Sequence, residues 1–233
     1  MGFRAVVQAV LRRRGYEVVR YPISRVLRDA GVTVVLDVGA NTGQYGHELR
    51  EVGYHGRIVS FEPQPGPFQT LASGAASDPL WDVSPLALGA EPGTATLNLS
   101  EQNASSSLLP MLPAHVASAP TSRYTGAVEV EVDTVDRVFS THCQPSDRVF
   151  LKIDTQGFER EVLAGAADTL DRVVGLQLEL SLVSLYDGGP LIEDLIGRVR
   201  ARGFVPVWLN HGFKDAATQR LLQVDCLFLR QRA

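Results

Sequence analysis

The sequence predicts an α/β protein: a mostly parallel seven-stranded sheet, helices on both faces, and a β-hairpin with a long loop inserted. Three observations predict it. From Val34 onward, short apolar runs alternate with segments of helical spacing, the rhythm of a parallel sheet covered by helices. The first run, "VVLDVGANTGQYG", passes from a strand pattern through an acid and two glycines into a helix pattern. The chain has 233 residues, nearly half of them apolar, enough for one sizeable core.

The elements follow in order. Val34 to Asp37 reads as a short buried strand, and Gly43 to Val52 as a helix closed near Gly53. Arg57 to Phe61 is a second strand, Gln64 to Ala76 a helix with a proline-rich start, and Trp81 to Leu86 a third strand. Then the rhythm changes. "EPGTATLNLS" puts a Pro-Gly turn before a polar-apolar alternation, the mark of a hairpin arm. Asn103 to Thr125 is rich in Ser, Ala and Pro without a sustained period and reads as a long loop or lid, a kind of segment often tied to function. "AVEVEVDTVDRVF" is an alternating strand followed by a short helix. Val149 to Ile153 is buried strand again, and Gly157 to Ala166 a helix. Val173 to Leu182, Leu191 to Arg202 and Val205 to Leu209 read as strand, helix and strand. Val224 to Leu229 closes the chain as a last, antiparallel strand.

Ahead of this unit, residues 3–14 place Phe3, Val6, Val7, Val10 and Leu11 on one helical stripe, with four arginines elsewhere. The organisation expected is therefore an amphipathic helical segment over 1–30 and a single domain over 31–233. The basic helix reads first as a cap packed on the domain, and second as a weak contact with a membrane surface. Composition bounds the function further. A net charge of −4 makes no electrostatic case for nucleic acid as a partner. Cys143 and Cys226 lie far apart with no CxxC, as in a reducing cytoplasm. No run reaches the ~18 apolar residues of a membrane span. The expected location is cytoplasmic, with peripheral contact at the inner membrane surface as the second reading of residues 3–14.

The first loop decides what the sheet can hold. A dinucleotide fingerprint is G-x-G-x-x-G. From Gly39 the chain reads Gly39, Ala40, Asn41, Thr42, Gly43, Gln44. Asn41 and Gln44 stand where the second and third glycines would let a pyrophosphate approach, which disfavours a nicotinamide oxidoreductase. No Lys-Ser or Lys-Thr follows, so a Walker loop fails as well. Glu62 ends the second strand about 20 residues on, where an acid can hold both hydroxyls of a ribose. With Asp37 at the end of the first strand, the pocket suits a nucleoside with a cationic or zwitterionic end. S-adenosylmethionine is such a ligand.

Three segments together, "LDVGANTGQYG", "SFEPQP" and "VFLKIDTQGFEREVLAGA", resemble the FkbM family of S-adenosylmethionine-dependent methyltransferases. The resemblance runs from about Thr33 to Leu182. "SPLALGAEPGTATL" and the "SSSL" at Ser105 to Leu108 belong to it too. The family's Asp-x-Glu-Gly-x-Glu hallmark stands here as Asp154, Thr155, Gln156, Gly157, Phe158, Glu159, with Gln156 in place of the usual glutamate. The resemblance implies a Rossmann-like class I methyltransferase fold. It also implies methylation of a hydroxyl oxygen on a sugar, glycolipid or polyketide-type natural product. Carried over by position, Asp37, Gly39, Asn41 and Gly43 form the first cofactor loop and Glu62 binds the ribose. Pro63, Leu86 and Ala87 lie near the adenine, and the "SSSL" run covers the cofactor or acceptor.

Ligands of open parallel sheets bind at the carboxyl ends of the strands. Asp154, Glu179 and the Asn210-His211 pair all fall there, so Asp154, Glu179 and His211 are the candidate catalytic groups. Alternation puts Lys152 and Asp154 on one side of their strand, and Gln177 and Glu179 likewise. His115 falls in the lid, where it can face substrate, while His47 and His55 read as surface residues. A carboxylate can take the acceptor's proton, and a divalent cation held by Asp154 and another strand-end acid is the open alternative. A rival from another class is a binding module that keeps the cofactor site without turnover.

Overall fold

The structure is a computed structural model, which describes residues 13–14 and 22–231. The basic stripe expected over residues 3–14 therefore lies outside the described residues, apart from Arg13 and Arg14. The first described helix, α1 (Ile23–Asp29), buries Ile23 and Leu27, one turn apart, in the same cluster as Val35 and Ile58 of the sheet.

The main sheet has seven strands: β1 (Val34–Val38), β2 (Arg57–Phe61), β3 (Trp81–Ser84), β7 (Val149–Ile153), β8 (Val173–Ser181), β9 (Phe204–His211) and β10 (Gln223–Arg230). Their order is β3-β2-β1-β7-β8-β10-β9. All neighbours run parallel except β10, which is antiparallel to both β8 and β9. Alternation along β1 sends Val34, Leu36 and Val38 to one hydrophobic cluster and Val35 to another on the opposite face. Helices α2 (Gln44–Glu51), α3 (Pro65–Ala75), α6 (Glu159–Ala164) and α7 (Ile192–Ala201) supply the covering residues. Leu49 and Leu71 pack in the Val35 cluster, and Val162, Leu195 and Val199 in the other. Pro206 sits on β9, an edge strand, where a missing N–H is tolerated.

A second, three-stranded sheet stands beside the first: β4 (Ala87–Leu88), β6 (Tyr124–Asp133) and β5 (Gly93–Ser100), with β6 in the middle. Here two expectations need correction. The strand expected over Trp81 to Leu86 stops at Ser84, because Pro85 has no N–H to continue the ladder. Ala87 and Leu88 then pair with Val132 and Asp133 in the small sheet. The segment expected as a loop from Asn103 to Thr125 is folded. It holds 3-10 turns at Asn103–Ser105 and Pro120–Ser122 and the helix α4 (Pro113–Ser118). It is tied to β5 by backbone hydrogen bonds between Asn98 and Ser107 in both directions. Helix α5 (Val135–His142), capped by the Thr134 hydroxyl, returns the chain to the main sheet.

Candidate functional site

Four adjacent strands place polar residues side by side near their carboxyl ends. Ser60, Asp37, Lys152 and Gln177 are direct register partners across β2, β1, β7 and β8. All four are buried, and alternation puts them on the face shared with Val35 and Phe150. Lys152 organises the row. Its ammonium reaches Asp37 Oδ1 at 3.1 Å, the Gly39 carbonyl at 2.9 Å and Asp154 Oδ2 at 3.5 Å. Burial opposes the charge, but the two carboxylates prevail and hold the Lys152 pKa above its usual value. Asp37 Oδ2 accepts a hydrogen bond from the Ser60 hydroxyl at 3.1 Å. With no exposed surface it lies under the loop rather than on the cavity wall.

Above the row, the chain turns sharply. Gly39 has φ 78°, and a Cβ there would sit 1.8 Å from the Asp154 carbonyl oxygen. Asn41 also adopts a left-handed φ, 48°, which asparagine tolerates. Its Oδ1 accepts the Thr42 N–H at 2.7 Å. Glu62 reaches into this turn. Oε2 accepts the Asn41 N–H and Oε1 the Gln64 N–H, each at 2.7 Å. Burial raises the Glu62 pKa, while the two amide donors pull it back toward the charged form. Each oxygen keeps a further acceptor site, so the carboxylate is fixed in place and still able to hold two hydroxyls.

These elements enclose a cavity of ≈ 580 Å³, within the range of small-molecule sites. Gly39, Asn41, Glu62, Pro63, Leu86 and Ala87 line it, as do Asp154 and Glu179. Ser106, Ser107 and Leu108 form part of its roof, and Gln64 is joined to Asn103 across it at 3.0 Å. Its lining combines an apolar set, Phe61, Leu86, Leu97 and Phe158, with an acidic set, Glu48, Asp154, Glu179 and Asp225. Burial, then the charges of Asp154, Glu159 and Asp225, push Glu179 well above the usual carboxylate range. Asp225 is raised to about 6, by burial and then by Asp154. Among the described residues, no group of three or more His, Cys, Asp or Glu side chains is placed to hold a metal ion.

Three expected site residues fall elsewhere. Asp37 is buried beneath the loop, as above. Gly43 precedes α2 and faces Leu71 and Trp81. His211 ends the edge strand, exposed and off the cavity wall, whereas its neighbour Asn210 lines it. His115 is buried between the Tyr186 and Phe213 rings, and desolvation lowers its pKa to about 4. Sequence reasoning missed Gln44, Tyr45 and Glu48, although their helical spacing on one face could have revealed them. It also missed Asp225, which lies opposite Glu179 and Asn210 only once β10 inserts between β8 and β9.

The family model described as the methyltransferase FkbM domain matches residues 37–206. No curated protein matches the chain significantly. Similar solved structures include a fibrillarin/Nop5p complex, at 12% identity and TM-score 0.48 over 96% of this chain and 80% of that one. An rRNA methylase from Streptococcus thermophilus shares 8% identity at TM-score 0.47, over 92% and 99% of the two chains. A TehB-like SAM-dependent methyltransferase from Corynebacterium glutamicum shares 12% at TM-score 0.42, over 98% and 96%.

Proposed function

Because the chain belongs to the FkbM family of methyltransferases, we propose that it methylates a hydroxyl oxygen of a sugar, glycolipid or polyketide-type natural product, with S-adenosylmethionine as donor. The observation that carries the reading is one cavity lined both by a pinned carboxylate, Glu62, and by the pair Asp154 and Glu179. The donor supplies a methyl group on a sulfonium, with a neutral thioether as leaving group. The residues of the chain do the rest. Glu62 accepts the two ribose hydroxyls, and Phe61, Leu86 and Ala87 flank the base. Lys152 neutralises Asp37 under the loop, so the floor beneath a cationic ligand carries little charge of its own. Asp154 takes the proton of the acceptor hydroxyl as the oxygen attacks. Lys152 stands closer to Asp37 than to Asp154, 3.1 against 3.5 Å, so Asp154 shares that cation rather than being saturated by it. Alignment supplies several kcal/mol of the barrier reduction, and a positioned base roughly 10²–10⁴-fold in rate. The net charge of −4 and the acidic set in the cavity lining favour a small or glycolipid acceptor over nucleic acid.

The test has two arms. In calorimetry, S-adenosylmethionine or its demethylated product binds and NAD does not. With methyl-labelled donor and a cell extract, label enters hydroxyl-bearing small molecules or glycolipids. Tight NAD binding ends the reading, and cofactor binding without any transfer leaves a binding module in its place.

A further inference from the structure

Gln156 occupies the turn between β7 and α6 with a left-handed φ of 55°. Its side-chain amide is fully engaged. Nε2 donates to Asp154 Oδ1 at 2.9 Å and to Glu179 Oε2 at 2.8 Å. An amide nitrogen carries two hydrogens, so one goes to each carboxylate. Oε1 lies 2.9 Å from the Tyr186 hydroxyl, whose single hydrogen it shares with the Ser105 carbonyl at 3.2 Å; the two acids set the amide's orientation, because turned over it would aim its oxygen at both. The backbone is anchored as well, since the Ser107 hydroxyl of the roof donates to the Gln156 carbonyl at 2.7 Å. The surroundings make such a bridge necessary. Asp225 is the register partner of Glu179, and Glu159 adds to the negative field. Among the described residues, Lys152, shared with Asp37, and the neutral Gln223, which donates to the same Glu179 oxygen at 2.6 Å, stand against these acids.

We propose that Gln156 is a positioning residue whose neutral amide holds Asp154 and Glu179 side by side, in the place where two facing carboxylates would otherwise need a shared proton or a cation. Resting on the reading of Asp154 as base, this assigns the two oxygens separate tasks. Oδ1 is held by the amide, and Oδ2 is left to Lys152 and the acceptor hydroxyl. It also ties the base to the roof through Tyr186 and Ser107.

Two variants test it. Gln156→Glu keeps the shape and replaces two donors by a third carboxylate. The present 2.8 and 2.9 Å separations are near the ~3 Å oxygen spacing around a small octahedral cation. With no acceptor present, Mn²⁺ alone is titrated into each protein and free ion followed by electron paramagnetic resonance. Gln156→Glu is expected to bind Mn²⁺ at least roughly tenfold tighter than the native protein, and Gln156→Leu no tighter than native. In methyl transfer, Gln156→Leu is expected to lose roughly 10–10²-fold in kcat with its KM for donor nearly unchanged, the split expected of a displaced base. Native Mn²⁺ affinity in Gln156→Glu, native kcat in Gln156→Leu, or loss of cofactor binding in both overturns the proposal. The Mn²⁺ arm needs no turnover, so absence of any hydroxyl methylation by the native protein would overturn the function without touching the amide bridge.

Discussion

At the scale of single residues, Lys152 and Glu62 carry the site in different ways. Lys152 is a buried cation that donates to the Gly39 carbonyl and forms ion pairs with Asp37 and Asp154. Lys152→Met would leave Asp37, with no exposed surface, as a buried charge without its cation, with the Ser60 hydroxyl as its hydrogen-bond partner among the described residues. The expected loss is about 3–5 kcal/mol of unfolding free energy, read by urea denaturation at neutral pH. Lys152 binds its proton more tightly folded than unfolded, so its contribution is complete at neutral pH and disappears only on strong alkalisation. Glu62 is proposed to act on the ligand. Glu62→Ala is expected to weaken cofactor binding by about 1–3 kcal/mol in calorimetry, since a charged acceptor is lost and the Asn41 and Gln64 N–H groups lose their partner. An unchanged affinity would remove Glu62 from the cofactor site. The acid at the end of the second strand was legible from its spacing alone. The fate of Asp37 was not, because strand alternation shows which face a side chain takes but not that Lys152 lies beside it in the sheet.

At the scale of elements, the turn after β1 and the start of α6 are shaped by contact with each other's strands. Gly39→Ala would drive a Cβ into the Asp154 carbonyl and strain a left-handed φ at once. A loss of about 3 kcal/mol or more is expected in urea unfolding, together with loss of cofactor binding. Glu159, the first residue of α6, folds its carboxylate back onto the Thr155 and Gly157 N–H groups and the Thr155 hydroxyl. Burial outweighs these donors and raises its pKa from 4.5 to about 7. Between those values the folded protein keeps a proton that the unfolded chain has released, so this group's stabilisation fades as pH rises through that window. Through this group native protein should therefore lose Tm from pH 5 to pH 8, against the opposite trend of His115, whose lowered pKa adds stability as pH rises toward 6.5. Glu159→Gln should show a smaller drop, with Asp225 and Glu179 left to account for the remainder. An identical drop in both proteins would show that Glu159 does not titrate there. Most strands and helices could be read from periodicity. The segment from Asn103 to Thr125 could not, because its order comes from contacts with β5 and with Gln156, Leu185 and Tyr186, far away in sequence.

At the scale of the whole molecule, seven strands, the reversed last strand and the inserted hairpin were all legible from the rhythm of apolar runs. The order in which the strands lie was not, since pairing β1 with β7 joins segments more than 100 residues apart and no local pattern encodes it. That order brings the carboxyl ends of β1, β2, β7 and β8 to one cavity, and insertion of β10 adds Asp225 to its wall while leaving His211 at the sheet edge. The central claim is that this cavity transfers a methyl group to a hydroxyl with Asp154 as the base. The most direct measurement compares native protein and Asp154→Asn for transfer of label from S-adenosylmethionine into the acceptors of a cell extract, at saturating donor. The predicted result is native cofactor affinity in the variant with turnover lower by about 10² or more, while His211→Ala transfers normally. Near-native transfer by Asp154→Asn, or its loss of cofactor affinity, would contradict the claim.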